Sequence, residues 1–271
     1  MPGDSPLLNI LFIGDIVGKP GRNALARALR GLRQEHSVDL CIGNAENAAG
    51  GFGLTPEVAD DLFGLGIDVL TSGNHIFDKR EILERIAADK RILRPANYPR
   101  ETPGAGSVAV RTSRGDMVGV LNLMGRVYMD TIDCPFKTAD EEIGKLKKET
   151  DVVFVDMHAE VTSEKTAMGW YLDGRVSAVV GSHTHVQTAD ERILPKGTAY
   201  LTDAGMTGSA DSVIGIKTEN AISRFLTRLP RRMETANGRA RIGGALVSVN
   251  RATGLAEKIV RVNFVPEAEG E

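Results

Sequence analysis

Ala178-Val-Val-Gly-Ser-His-Thr-His185 runs from an apolar, strand-like segment straight into two histidines set two residues apart. The chain has five histidines, at 36, 75, 158, 183 and 185, and each of the last four lies close behind an apolar run. Strands covered on both faces read as such runs. In a parallel α/β sheet their ends lie along one edge, so histidines far apart in sequence can meet there. The stretch therefore sets the class as α/β and directs attention to the strand ends. His36, at the end of the first helix, reads as structural.

Working outward, Leu7-Leu-Asn-Ile-Leu-Phe-Ile13 is a nearly continuous apolar run that ends in Gly14-Asp15. Gly18-Lys-Pro-Gly21 reads as a turn before a helix over 22–34. The glycines at 14, 18 and 21 fit neither a dinucleotide fingerprint nor a Walker loop, because Lys19 is followed by proline. A strand over 38–42 leads into Gly43-Asn-Ala-Glu-Asn47 and the glycine-rich stretch to Gly53. Thr55 and Pro56 open a helix to about Leu65 as cap and first residue. A strand over 66–71 delivers Ser72-Gly-Asn-His75, and Asp78 is expected to cap a helix over 79–88.

Between 92 and 135 the βα rhythm breaks. Residues 107–110 and 117–123 read as antiparallel strands, and 95–136 is expected to contain a flap or cap over the strand ends. A helix follows over 138–149, then a strand over 151–155 ending in Asp156-Met-His158, a helix over 162–172 and the strand that delivers His183 and His185. A short strand over 198–202, the glycine-rich Asp203–Gly208, a helix over 219–229, two closing strands over 241–249 and 256–265 and a short acidic tail complete the chain.

Composition narrows the functional classes. The 271 residues are 42% apolar and 25% charged, as in a soluble globular protein, and a single domain over 1–271 is expected. A net charge of -3 is too balanced for stable binding to duplex nucleic acid; a small phosphodiester or nucleotide is easier to accept. Cys41 and Cys134 form no Cys-x-x-Cys pair, which favours a reducing compartment and excludes a thiolate zinc cluster. The first residues lack a signal-peptide pattern and no stretch has membrane-span length, so a cytoplasmic protein without membrane association is expected.

Collected in order, the strand-end residues are Asp15, Glu46, Asn47, Asn74, His75, His158, His183 and His185. Mixed oxygen and nitrogen donors without sulfur suit two divalent ions such as manganese, iron, cobalt or zinc. Two ions bring four positive charges and the two carboxylates return two, leaving a surplus that attracts a phosphate or another anion. Singly, Asp15 reads equally as a cap, the asparagines as turn formers, Glu46 as a solvated carboxylate, His158 as a hydrogen-bonded histidine and His75 as a surface residue. Glu160, Glu164 and Lys165 read as supporting groups or as a helix start. Ser182, Thr184 and Gly205–Gly208 read as pocket or as plain loop.

These motifs resemble the calcineurin-like metallophosphoesterases. Gly73-Asn-His75 matches the family pattern, Gly181-Ser-His-Thr-His185 nearly does, and His158 supplies the lone histidine. Asp15-Ile-Val17 lacks the histidine of Asp-x-His, and Asn44-Ala-Glu-Asn47 replaces Gly-Asp-x-x-Asp. With Gly14–Gly18, His158-Ala-Glu160 and Asp203–Gly208, these departures resemble the YmdB-like branch over almost the entire chain. The resemblance implies a four-layered α-β-β-α sandwich with two mixed sheets. It implies two metal ions, iron or manganese with zinc or cobalt as alternatives. Glu46 would bridge them, with Asp15, Asn47 and His185 on one and Asn74, His158 and His183 on the other.

In that pattern a metal-bridging hydroxide attacks phosphorus in line and His75 is the general acid, giving a phosphodiesterase acting on 2′,3′-cyclic nucleotides. Members resemble homo-oligomers, so a dimer or tetramer is expected. A phosphomonoesterase or protein phosphatase, and a non-catalytic nucleotide sensor, are the competing readings.

Overall fold

The computed structural model describes residues 5–266; the acidic tail and part of the N-terminal stretch lie outside them. The first sheet holds β1 (Leu7–Ile13), β2 (Asp15–Ile16), β3 (Leu40–Asn44), β4 (Val69–Thr71), β11 (Met206–Ser209), β12 (Ala240–Asn250) and β13 (Ala256–Phe264). The second holds β5 (Ser107–Arg111), β6 (Met117–Met124), β7 (Val153–His158), β8 (Ala178–Ser182), β9 (Arg192–Ile193) and β10 (Ala199–Leu201). The helices are α1 (Gly18–Glu35), α2 (Pro56–Gly64), α3 (Ile82–Ala88), α4 (Pro135–Leu146), α5 (Thr162–Leu172) and α6 (Thr218–Thr227).

Both sheets are mixed. β1, β3 and β4 run parallel while β12 is antiparallel to β1. β6, β7, β8 and β10 run parallel, with antiparallel β5 and β9 at the edges.

Strand alternation separates three apolar cores, and three cores between packed faces make four layers. Leu11 and Ile13 of β1 face Leu25 and Leu29 of α1 and Leu62 of α2 in the first core. Ile10 and Phe12 point the other way, into the core between the sheets, where Phe12 meets Phe154 with ring centroids 5.2 Å apart. Val153 and Val155 face Ile143 of α4 and Met168 of α5 in the third core. The expected α-β-β-α sandwich is the observed fold.

Local departures from the sequence reading have physical causes. The expected turn at 18–21 is the first turn of α1, where Pro20 sacrifices no internal helical bond. The glycine-rich 203–208 contributes β11, which pairs with β2 and β12. α3 starts at Ile82 with Glu81 at its cap, so Asp78 is not the cap; its carboxylate is held by His75. In 95–136, β5 and β6 pair antiparallel as expected and belong to the second sheet, with loops on either side of them. Among the described residues no helix is long and apolar enough to cross a membrane.

Candidate metal centre

The C-terminal ends of β1, β3 and β4 in one sheet and β7 and β8 in the other converge, and all eight strand-end residues meet there. Glu46 Oε1 lies 3.2 Å from His158 Nε2 on one side and 3.2 Å from Asn47 Nδ2 on the other. On the first side, His158 Nε2 is 3.0 Å from His183 Nδ1 and 3.3 Å from Asn74 Oδ1. On the second, His185 Nε2 is 3.3 Å from Asn47 Nδ2 and 3.8 Å from Asp15 Oδ1. A half-turn of an asparagine amide exchanges its oxygen for its nitrogen, so Asn47 can present Oδ1 at the same place. Ligating atoms of Glu46, His158 and His183 all lie within 4.8 Å of one another.

Burial makes these donors conspicuous. Asp15 and His158 are fully buried and Glu46 is 1% exposed. Asp15 Oδ1 has no hydrogen-bond partner, while Oδ2 accepts from the His183 amide at 3.0 Å. A buried carboxylate oxygen without a donor is costly unless a cation sits against it.

The protonation pattern has the same cause. Burial works against a charged His158, but Glu46, Asp15 and Asp156 outweigh it and push the imidazole up to about 9. Burial alone would raise Glu46, yet the adjacent His158, with help from His75, holds it well below the usual carboxylate range. Burial raises Asp15 despite its histidine neighbours. His183, desolvated and repelled by His158, is pushed down to about 3, so its ring is neutral near pH 7. Without a cation, the His158 proton is what balances the buried carboxylates.

Supporting groups fix the donors. Ser182 Oγ donates to Asp156 Oδ1 at 2.6 Å and lies 2.9 Å from His158 Nδ1, linking that ring to a buried carboxylate. Thr71 Oγ1 donates to Asp156 Oδ2 at 2.6 Å, and burial raises Asp156 to about 6. His183 and His185 both occupy the left-handed region, with φ of 96° and 64°. Thr184 between them is tied down twice, its amide and hydroxyl donating to Asp203 Oδ2 at 3.2 and 2.7 Å. Lys165 Nζ donates to that same oxygen at 2.6 Å, and both partners are 1% exposed.

Gly73 and Gly181 are required by close approach: a Cβ on Gly73 would stand 2.1 Å from the His158 ring, and one on Gly181 1.9 Å from the Thr202 carbonyl oxygen.

The remaining expectations divide. Glu160 supports the centre, its Oε2 lying 3.1 Å from His183 Nε2. Glu164 instead accepts from the Arg126 and Val127 amides at the foot of a loop. Gly205–Gly208 do not line the cavity beside the centre, which measures about 350 Å³ and includes Glu46, Asn47, His75, His183 and His185 in its wall. The sequence reading missed Asp156 and Asp78 as partners. His75 Nδ1 lies 2.9 Å from Asp78 Oδ2, and the His75 amide donates to Glu46 Oε2 at 2.9 Å. The spacing Asn74-His75-Ile-Phe-Asp78 carried that signal.

A sandwich of two mixed sheets with nitrogen and oxygen donors gathered between them defines a protein of metallophosphoesterase fold. The chain belongs to the YmdB-like family: the family model described as "YmdB-like protein" matches residues 11–262. It is 48% identical over 255 residues to the 2′,3′-cyclic-nucleotide 2′-phosphodiesterase of Bacillus subtilis, covering 94% of this chain and 96% of that one. Among solved structures, a hypothetical protein from Thermus thermophilus superposes with a TM-score of 0.89 at 39% identity, covering 96% of this chain and 100% of that one. A Mycoplasma pneumoniae protein titled a novel phosphatase gives 0.90 at 34% identity, covering 97% of this chain and 95% of that one.

Proposed function

We propose that the chain is a two-metal phosphodiesterase that opens 2′,3′-cyclic nucleotides to nucleotide monophosphates. The observation that carries the reading is the position of Glu46 Oε1 between two donor groups, with Asn74, His158 and His183 on one side and Asn47 and His185 on the other, while Asp15 Oδ1 stands 3.8 Å from both His158 Nδ1 and His185 Nε2. The orphaned Asp15 Oδ1 and the sulfur-free donor set fit divalent cations, iron or manganese first and zinc or cobalt next. The name of the Bacillus subtilis relative supports the substrate class. When bound, two such ions supply positive charge for the phosphate and lower the pKa of water.

The chain's own residues do the rest. The His75 amide holds Glu46 Oε2, so the backbone that carries the acid also fixes the shared carboxylate. Asp78 Oδ2 accepts from His75 Nδ1–H, so a ring protonated on both nitrogens gives its Nε2 proton to the departing alkoxide and keeps the Nδ1 proton on Asp78. The walls around His183 and His185 hold the donors rigid through Thr184 and Asp203.

Rates on 2′,3′-cyclic nucleotides, bis-p-nitrophenyl phosphate and p-nitrophenyl phosphate test the reading in manganese- or iron-loaded protein. Both diesters are expected to be preferred, with activity lost on chelation and restored by metal. A faster monoester reaction would favour a phosphomonoesterase, and tight cyclic-nucleotide binding without product would favour a sensor.

A second copy of the chain is the partner that α6 fits. Ile222, Phe225 and Leu226 share its outer face with Leu229 just beyond the end, and Phe225 and Leu226 are 77% and 79% exposed. Glu219 stands at one end of this stripe and Arg228, Arg231 and Arg232 at the other. Pairing about a two-fold axis sets the acidic start of one helix beside the arginine-rich end of the other and covers the apolar stripe. Phe225→Asp is expected to halve the mass seen by light scattering; an unchanged mass would rule this face out as the interface.

A further inference from the structure

The loop Ser212–Ile216 holds backbone strain at the wall of the cavity. Val213 and Ile216 exchange backbone hydrogen bonds of 3.0 and 2.9 Å, making Ile214-Gly215 a two-residue turn. Its φ angles are 48° and 97°. Positive φ at both central residues is a place for asparagine, aspartate or glycine, and a β-branched residue there is an outlier. Such strain concentrates at ligand clamps and active sites. Packing does not offset it, because Ile214 is 49% exposed.

The turn is nevertheless fixed from several directions. Ser212 Oγ accepts from the Gly215 amide at 2.9 Å and donates to the Ser209 carbonyl at 2.7 Å. The Ile214 carbonyl lies 2.8 Å from His185 Nδ1. A Cβ on Gly215 would stand 2.7 Å from Val17 Cγ1. Ile214 is thus held in register with His185. Phe52, which lines the same cavity, meets the His75 ring edge-on at 5.0 Å. Ile216 and Met233 continue this apolar lining beside Glu46 and Asn47. A phosphate group has no use for such a wall, whereas a planar heteroaromatic ring stacks on it.

We propose that Ile214 and Phe52 hold the base of the nucleotide substrate, Ile214 from the His185 side and Phe52 from the His75 side, and thereby set the preference for nucleosidic phosphodiesters. The inference rests on the phosphodiesterase reading above. Both residues are specificity determinants, and neither supplies a proton or a metal donor.

Ile214→Gly removes the side chain and relieves the backbone at once. Its Tm is expected to equal or exceed that of the parent protein. The ratio of kcat/KM for 2′,3′-cyclic AMP over that for 1-O-methylribose 2′,3′-cyclic phosphate, which has no base, is expected to fall about ten-fold or more, chiefly through KM. Phe52→Ala is expected to lower the same ratio. A lower Tm in Ile214→Gly with equal losses on both substrates would make Ile214 a packing residue, and an unchanged ratio in both variants would overturn the slot.

Binding of adenosine 3′-monophosphate to the manganese-loaded protein separates the two readings. If the parent protein hydrolyses neither cyclic phosphate, yet both variants weaken this binding about ten-fold, the slot stands and the phosphodiesterase reading falls. Without weakening, the slot falls as well.

Discussion

Glu46→Gln is expected to lower phosphodiester hydrolysis by at least about a thousand-fold, because forfeiting about 4 kcal/mol of charge stabilisation from bound cations removes three factors of ten. The amide keeps the shape of the side chain and loses the charge that faces both donor groups. A second measurement follows from the same carboxylate. In the metal-free protein His158 keeps its proton up to about 9, so a cation that takes Nε2 must displace it. Apparent manganese affinity should therefore rise with pH, by up to about ten-fold per unit, and level off near 9. In Glu46→Gln the largest support for that proton is gone, so the plateau should begin at lower pH. Titration calorimetry between pH 6.5 and 9.5 reads both effects, and pH-independent affinity in the parent protein would remove His158 from the donor set.

The stability of the metal-free protein carries the same signature with the sign worked through. His158 titrates higher folded than unfolded, so its contribution is full below its ordinary value near 6.5 and is lost as pH rises through about 9. Glu46 titrates lower folded than unfolded, so its contribution is present above its ordinary value near 4.5 and disappears as pH falls below that. Both contribute in full only in the mildly acidic window between those ordinary values, and from there up to about 9 the His158 share declines while that of Glu46 persists.

Much of this molecule is legible in local sequence because its strands are buried on both faces. Leu7–Ile13 declares itself as an apolar run, and Thr55-Pro56 declares a helix start through its own chemistry. β7 and β8 extend past their apolar runs, to His158 and Ser182, because Asp156, Ser182 and Thr71 satisfy one another across strands. No local pattern encodes that network. β2 and β11 are short and polar, and exist through pairing with distant partners. In the centre, side-chain chemistry brought Asp15, Glu46 and the histidines to notice, whereas the strain at Ile214 and the Lys165–Asp203 pair exist only once the chain is folded. Breaking such a buried pair by removing one partner costs about 3–5 kcal/mol, so the loop between His183 and His185 is held by long-range electrostatics that a motif cannot display.

His75→Ala is expected to lower the rate on 2′,3′-cyclic AMP by about 10²–10⁴-fold, the range for loss of a positioned acid, while metal content stays at the parent level. Among the interactions described, the His75 side chain engages Asp78 and Phe52, and its link to the donor groups runs through the backbone amide on Glu46. Alanine keeps that amide, so the shared carboxylate remains anchored. The leaving group supplies the discriminating control. A ribose alkoxide needs a proton as it departs, whereas p-nitrophenolate leaves as a stable anion. The loss on bis-p-nitrophenyl phosphate should therefore be much smaller than on the cyclic nucleotide. Asp78→Asn should follow the same pattern at reduced amplitude, since it disturbs the ring's orientation without removing the ring. Equal losses on both substrates, or a fall in bound metal, would make His75 a support of the donor shell, and undiminished turnover would remove it from the mechanism. The contrast between two leaving groups on one metal-loaded variant isolates proton delivery from everything the cations contribute.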